Sequence, residues 1–436
     1  LVAYHVGGME LSHRKKRRYR MKRRTFLEKS VFAAAGFAVS PWVSSENSGL
    51  FAEGNTIETG KLDSSYIKVL VLGGSPRQRG RIHGEELRTK ISELIAIWKD
   101  ELHQKYKADP DEYITNFLAN TRFEKAVAKW CPDLMEEVIG IAEGSGLDYK
   151  TIFGFQAGEE IWWYARQRES SSLSMGSRRC SGLGAYNQEG LPSLVAQNQD
   201  FTMKDGNEAI LHIKHQNSSL ESFVFTLAGL VGINPGMNSH AVAMTSHSLP
   251  QLANRIDGLP VAFVLRSALA RESFKDAMKF IHTIHHATAQ NYILGGPKEV
   301  GSFECSAHKV SRYIPYPGAN RTYHTNHPLV NDDWDEMFKK SAGKGQFAGL
   351  SKNTESRFAA FEKRLKDPAK KITVDVAKEV LSSRDDPDNP VCVARREKSQ
   401  TRGFTGGCGI AVLSDPPEFH FAPGPPCHTA FQIYKF

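Results

Sequence analysis

The sequence predicts an α+β fold in which antiparallel sheets stack on one another beneath covering helices. Three observations predict it. A front segment places apolar residues at helical spacing, a middle segment changes to an alternation of period two, and the last part mixes both patterns. The chain has 436 residues, beyond the roughly 250–300 at which a single core stops growing, so a large domain with an accessory segment is expected. With 40% hydrophobic and 24% charged residues, the composition is that of a globular enzyme and excludes a disordered or collagenous chain.

The elements follow in order. A short strand at 66–72 precedes a helical region, 75–167, whose apolar stripe includes Ile91, Leu94, Ile95 and Trp98, then Leu134, Val138 and Ile141. Gly144, Gly146 and Asp148 mark a break before another helix near Tyr149. A Ser/Gly-rich linker at 170–177 follows. Alternating runs at 181–186, 193–201, 209–215, 222–227 and 241–246 then read as strands. One long helical stretch is expected at 260–287, with strands at 292–295, 302–310 and 322–324. Helices at 354–365 and 374–383 precede closing strands at 409–413, 418–422 and 429–434.

The net charge of +8 is confined to the first 24 residues, which hold nine Lys/Arg against Glu10; the remaining chain balances at 47 against 47. A neutral body has no clustered cations for nucleic acid, so none is expected as a partner. Met21 is the expected start, leaving residues 1–20 as an upstream extension. Arg23-Arg24-Thr25-Phe26-Leu27, followed by a small, apolar run at 30–43, resembles a twin-arginine export signal and is too short to span a membrane. Export to the periplasm or exterior is expected, with cleavage near Ser45. The expected organisation is therefore 1–45 as extension and signal, 46–179 as an α-rich segment and 180–436 as a β-rich segment.

The six cysteines, Cys131, Cys180, Cys305, Cys392, Cys408 and Cys427, contain no C-x-x-C spacing. Five are read as small buried hydrophobes. Cys180 differs because of its neighbours. Arg179-Cys180-Ser181-Gly182 and Ala196-Gln197-Asn198-Gln199-Asp200-Phe201 flank a turn centred on Gly190, an arrangement that sets Cys180 opposite Asp200 and puts Cys180, Asn198 and Asp200 on one face. A thiol, a carboxylate and a carboxamide would then converge. The same pattern also fits a buried cysteine beside a hairpin-capping aspartate.

Cys180-Ser181 followed by Gln197-Asn198-x-Asp200-Phe201 resembles the penicillin acyltransferase family and, more distantly, the choloylglycine hydrolases, both N-terminal-nucleophile hydrolases. The resemblance continues through Gly74-Ser75-Pro76, Arg79-Gly80 and His83-Gly84, then Gly236-Met237-Asn238-Ser239, Asn291-Tyr292-Ile293-Leu294 with Glu304, His324-Thr325-Asn326-His327, Ser356-Arg357 and 422–426. It implies a four-layer αββα sandwich with an α-rich propeptide, and an amidohydrolase or acyltransferase activated by cleavage between Arg179 and Cys180. By that resemblance Cys180 is the nucleophile and its freed α-amine, with a pKa of roughly 7.7–8.0, the base. Asp200 would hold the resulting ammonium, and Asn326 would donate to the oxyanion. Arg357 would neutralise Asp200 or the nucleophile's surroundings, unless it is a surface residue. His247, where relatives place a second oxyanion asparagine, either donates a hydrogen bond or is simply packed. Arg179 replaces the glycine of the penicillin-processing member, and Gln197 the arginine of bile-salt hydrolases, which disfavours a bile-salt substrate.

Other readings compete. A papain-like protease would need a Cys-Gly-Ser-Cys-Trp surround, which is missing. His282, His285 and His286 could hold a metal, since His282 and His286 are expected one helical turn apart, but no glutamate occupies the second position of that run and a partly buried helix with tolerated histidines is the favoured reading. A non-catalytic exported binding module that keeps the fold is the alternative from a different class. No metal or organic cofactor is expected, and the expected partners are a small-molecule amide or acyl donor and the twin-arginine export machinery.

Overall fold

The computed structural model describes residues 67–168, 179–201, 207–342, 348–394 and 403–436; the export signal and the Ser/Gly-rich linker lie outside them. Strand β1 (Lys68–Leu72) leads into helices α1 (Pro76–Glu86), α2 (Arg88–Tyr106), α3 (Pro110–Ala119), α4 (Phe123–Trp130), α5 (Pro132–Ser145), α6 (Tyr149–Gln156) and α7 (Gly158–Arg168). Strands β2 (Arg179–Ala185), β3 (Ser193–Phe201), β4 (Glu208–Lys214), β5 (Glu221–Leu227), β6 (Gly236–Asn238) and β7 (Ala243–Ser248) come next. Helices α8 (Val261–Leu269) and α9 (Phe274–Thr283) precede β8 (Gln290–Gly296), β9 (Glu299–Cys305), β10 (Val310–Tyr313) and β11 (Arg321–His324). Helices α10 (Glu336–Ala342), α11 (Ala348–Leu365) and α12 (Val374–Leu381) lead to β12 (Phe404–Leu413), β13 (Glu418–Ala422) and β14 (Gln432–Lys435).

The strands form two sheets, β1-β4-β5-β6-β7-β8-β9-β10 and β11-β2-β3-β12-β13-β14. They meet face to face through β2, β3, β7 and β8. Gly184 and Gly295 let them approach: a Cβ at Gly184 would stand 2.5 Å from Val300 Cγ1, and one at Gly295 would stand 2.5 Å from Val195 Cγ2. Helices α8 and α9 pack on the eight-stranded sheet, α11 and α12 on the six-stranded one, which gives the αββα order of layers. One expectation is corrected: β1 pairs with β4 in parallel, Lys68 beside Ala209, so the larger sheet is mixed. A parallel neighbour needs a long crossover, and the helices that follow β1 supply it.

The expected helix at 260–287 is two. Chain direction breaks after Ala270, and Ser273 restarts it by accepting a hydrogen bond from the Asp276 amide. The second helix stops at Thr283, Ile284 is extended, and His286 instead bonds the Ile281 carbonyl at 2.9 Å, so His282 and His286 do not share a helical turn.

The helical front segment is built into the body. Helix α1 opens on a capping box between Ser75 and Gln78 with Pro76 in its first turn, which accounts for Gly-Ser-Pro. It packs on α5 through Gly80 and Gly84 against Gly140 and Gly144. A methyl group on Gly84 would lie 2.5 Å from the Ile141 carbonyl oxygen, and one on Gly80 or Gly140 would overlap the other helix's backbone outright. Beside this seam Glu137 is fully buried and receives Arg266 of α8 (2.9 and 3.1 Å) and Arg79 of α1 (3.4 Å). His83 Nε2 accepts the Gly229 amide at 3.1 Å, and Gln156 bonds the Gly229 carbonyl and the Val231 amide. Burial holds the His83 ring near a pKa of about 4, neutral and able to accept.

Because no side-chain movement can relieve a backbone collision, Gly140→Ala is expected to lower unfolding stability by about 3 kcal/mol. A fall in the urea midpoint with an unchanged slope would show it; an unchanged midpoint would contradict the close seam.

Candidate active site

Strands β2 and β3 pair with Cys180 across from Gln199, Arg179 from Asp200 and Ser181 from Asn198. This corrects the expected register. The hairpin closes with the Gln188–Leu191 bridge, so its centre falls between Glu189 and Gly190 and not on Gly190, whose φ is +72°. A shift of one residue in partner exchanges the faces of a strand. Cys180 therefore shares its face with Gln199 and Gln197, whereas Asp200 and Asn198 point toward the helix layer of α11 and α12.

The thiol of Cys180 donates to Gln199 Oε1 at 3.4 Å, and Gln197 Nε2 donates to the same oxygen at 3.3 Å and to the Ser246 carbonyl at 2.7 Å. The backbone of Cys180 is gripped from the other side. Its neighbour β11 ends at His324, opposite Gly182, which leaves the N–H and C=O of Cys180 beyond the last strand partner. Asn326 Oδ1 accepts that N–H at 3.0 Å. Arg357 Nη1 donates to the Cys180 carbonyl at 2.6 Å and to Ser181 Oγ at 2.9 Å, Nη2 to Asn326 Oδ1 at 2.9 Å, and Nε to Asn353 Oδ1 at 3.2 Å. Far from being a surface residue, Arg357 is 1% exposed.

The loop carrying Asn326 is shaped by two anchors. Glu304 of β9 accepts His324 Nε2 at 2.8 Å and the amides of Leu329, Val330 and Asn331 at 2.6–3.0 Å. Thr354 of α11 accepts the Asn326 amide at 2.7 Å. Thr354 and Arg357 lie three residues apart on one face of α11, so a single helix holds both the backbone and the side chain of Asn326. Asn326 Nδ2 donates to the Ser248 carbonyl at 3.1 Å, so it is the carboxamide oxygen that faces Cys180.

The remaining expected residues separate. Asn198 Nδ2 ties the Leu381 and Val391 carbonyls at 2.7 and 3.1 Å, away from the thiol. His247 lies between the sheets against Gly182 and approaches the Asn291 carbonyl at 3.3 Å. Burial drives its pKa well below the ordinary value, leaving a neutral ring that does not line the cavity at Cys180. Asp200 is buried, and its Oδ1 accepts from Thr405 Oγ1 at 2.6 Å.

Cys180 and Gln199 form part of the wall of a cavity of about 260 Å³. Its far walls come from the front helical segment, Trp98, Leu102 and Tyr106 of α2 with Ile161 and Trp162 of α7, and from Leu265 of α8. Near the thiol the lining turns polar, with Asn234, Ser246 and Ser248, and Glu159 also reaches the wall and accepts from Gln290 Nε2 at 2.6 Å. Sequence reading missed these contributors because they come from elements far apart in the chain; Gln199 alone was accessible, through the alternation of β3 in its true register. Among the described residues no three His, Cys, Asp or Glu side chains are grouped to hold a metal ion.

Burial sets the protonation states. It pushes the Cys180 thiol up to about 12, with Asp200 adding to the effect, so the thiol needs a base. It pushes Asp200 up to about 6, against Thr405, Arg357 and Arg179. Arg357 falls to about 10 and stays cationic. For Asp200 the folded value lies above the ordinary 3.8, so its ionisation opposes folding above pH 6 and ceases to do so below 3.8. The gap corresponds to about 3 kcal/mol. Asp200→Asn is therefore expected to shift stability relative to wild type more favourably at pH 7.5 than at pH 4, read from urea unfolding at both; an equal shift at both would contradict a buried carboxylate titrating near 6.

Three comparisons bear on this chain. A family model described as acyl-coenzyme A:6-aminopenicillanic acid acyl-transferase matches residues 186–405, half of the chain, beginning just after Cys180. Protein dcd1A of Dictyostelium discoideum is 25% identical over 315 residues, 62% of this chain; the chain spans 65% of that relative's length. Among solved structures, a Caenorhabditis elegans N-acylethanolamine-hydrolyzing acid amidase ortholog aligns with a TM-score of 0.39 and 14% identity over 59% of this chain and 100% of its own. A mutant of the conjugated bile acid hydrolase from Clostridium perfringens aligns at 0.38 and 15% over 59% and 97%. On the family match, the chain belongs to the acyl-coenzyme A:6-aminopenicillanic acid acyl-transferase family.

Proposed function

We propose that the chain is a cysteine amidohydrolase or acyltransferase that becomes active by cleaving itself before Cys180, and that it acts on linear amides with an apolar acyl group. The observation that carries this reading is the grip on Cys180: its N–H and C=O are held by Asn326 and Arg357 while the residue lines a cavity whose far walls are apolar. A residue fixed by both backbone groups keeps its place when the bond in front of it is cut.

In the precursor the thiol attacks the Arg179 carbonyl and the acyl group moves from nitrogen to sulfur, which frees the α-amine of Cys180; water then hydrolyses this thioester, leaving a carboxylate on Arg179 and the free thiol on Cys180. That amine has a pKa of roughly 7.7–8.0 and takes the thiol proton, whose acceptor in the uncut chain is the non-basic Gln199 Oε1. Asn326 Oδ1 and the Asp200 charge orient the ammonium that results. The thiolate attacks the substrate carbonyl, the ammonium returns its proton to the departing amine, and a thioester remains on Cys180. Water or a second amine then takes the acyl group. Trp98, Leu102 and Trp162 would cover an apolar acyl group and keep water from it, and the polar end of the cavity suits the amide.

Residues 1–45 lie outside the described residues, and export by the twin-arginine machinery is part of the proposal on the strength of Arg23-Arg24 and the apolar run after them. Among the described residues no helix is long and apolar enough to cross a membrane.

Terminal sequencing of the purified full chain is expected to yield a fragment beginning Cys-Ser-Gly-Leu-Gly, with Cys180→Ala remaining intact and inactive. Full amidase activity from an uncut chain would remove the α-amine mechanism. Arg357→Met is expected to leave the chain uncut as well, with a loss of at least about 100-fold in kcat/KM if cut chain is recovered, since a charge-assisted grip worth roughly 3 kcal/mol is removed.

A further inference from the structure

Two cysteines that sequence spacing leaves unrelated meet in space. Cys392 lies in the loop after α12 and Cys427 in the turn after β13, and their sulfur atoms are 2.9 Å apart with the Cys392 thiol directed at Cys427. Cys392 is buried and Cys427 half-buried, so one sulfur of the pair can be reached from outside. The hydrogen bond from Cys392 also holds the Cys427 thiol below its ordinary pKa, which favours the nucleophilic thiolate at the accessible position.

We propose that Cys392 and Cys427 are a disulfide-forming pair that ties the C-terminal turn to the loop beneath the candidate active site. With a low-molecular-weight disulfide as oxidant, the Cys427 thiolate attacks one reagent sulfur and expels the other as a thiolate, giving a mixed disulfide. The Cys392 thiol, losing its proton, attacks Cys427 and expels the second reagent thiolate. Two protein thiols and one reagent disulfide become one protein disulfide and two reagent thiols.

The tie has a defined consequence. The neighbours of Cys392 hold the back of the site: the Val391 carbonyl accepts from Asn198 Nδ2 at 3.1 Å, and the Val393 amide donates to Thr405 Oγ1 at 3.0 Å. Thr405 Oγ1 in turn donates to Asp200. Fixing Cys392 covalently limits how far this segment can move away from Asp200. A cross-link across such a sequence separation also restricts the unfolded chain.

The test treats the reduced, folded full chain with oxidised glutathione, alkylates it under denaturing conditions and maps its peptides. The expected product is a Cys392–Cys427 cross-linked peptide, two hydrogens lighter than its reduced parts, with a rise of about 5 °C in Tm over the reduced protein. Cys427→Ser should leave Cys392 alkylatable and abolish the Tm difference. The proposal is overturned if both cysteines alkylate fully after oxidation, if Cys427 stops at the glutathione adduct, or if Cys392 pairs elsewhere. Should Cys427→Ser fail to fold, the wild-type peptide map decides alone.

Discussion

The guanidinium of Arg357 has almost no contact with solvent, and the geometry around Cys180 follows from how that charge is accommodated. Burying an unpaired cation costs several kcal/mol, so its donors need partners. Four of its five N–H groups are met by the Cys180 carbonyl, Ser181 Oγ, Asn326 Oδ1 and Asn353 Oδ1, with the Asp200 carboxylate near enough to favour the charged form. The planar fork of an arginine can serve two residues of β2 and the loop after β11 together, which a lysine's single nitrogen could not. The position of the candidate nucleophile is thus set by a helix in the outer layer, through the sheet that carries it.

The front helical segment has a comparable dual character. It contributes β1 to the larger sheet, sends Glu137, His83 and Gln156 into polar contacts with the β-rich segment, and supplies much of the apolar wall facing Cys180. A segment so attached does not depend on the peptide bond at Arg179 for its place. Glu160 shows the same economy: one carboxylate oxygen accepts both the Val261 amide, at the start of α8, and Thr288 Oγ1, and burial raises its pKa to about 7.

Where the sequence carried a local signal, the fold was legible. Strands β3 and β13 begin and end where the alternation does, and Gly146 in the left-handed region with Asp148 capping α6 closes and opens helices at the expected break. Ordered motifs led to Cys180, Asp200, Asn326 and Arg357, and the structure brings their segments together. What failed was whatever depended on half a residue or on distant partners. Centring the turn on Gly190 instead of between Glu189 and Gly190 put Asp200 and Asn198 on the wrong face of the hairpin relative to the thiol. That Gly80 and Gly140 make a close helix seam shows only when the second helix is laid against the first. The encounter of Cys392 with Cys427 depends on the path of β12 and β13 between them, which no spacing rule encodes.

The central claim is that acyl transfer passes through the sulfur of Cys180 once its own amine is free. Acid quenching during turnover of a long-chain acyl amide, followed by mass measurement of the fragment that begins at Cys180, tests it most directly. The account predicts a gain equal to one acyl group, mapped to that residue and discharged by added hydroxylamine. Steady turnover with an unmodified Cys180 at every quench time, retained in Cys180→Ala, would contradict it.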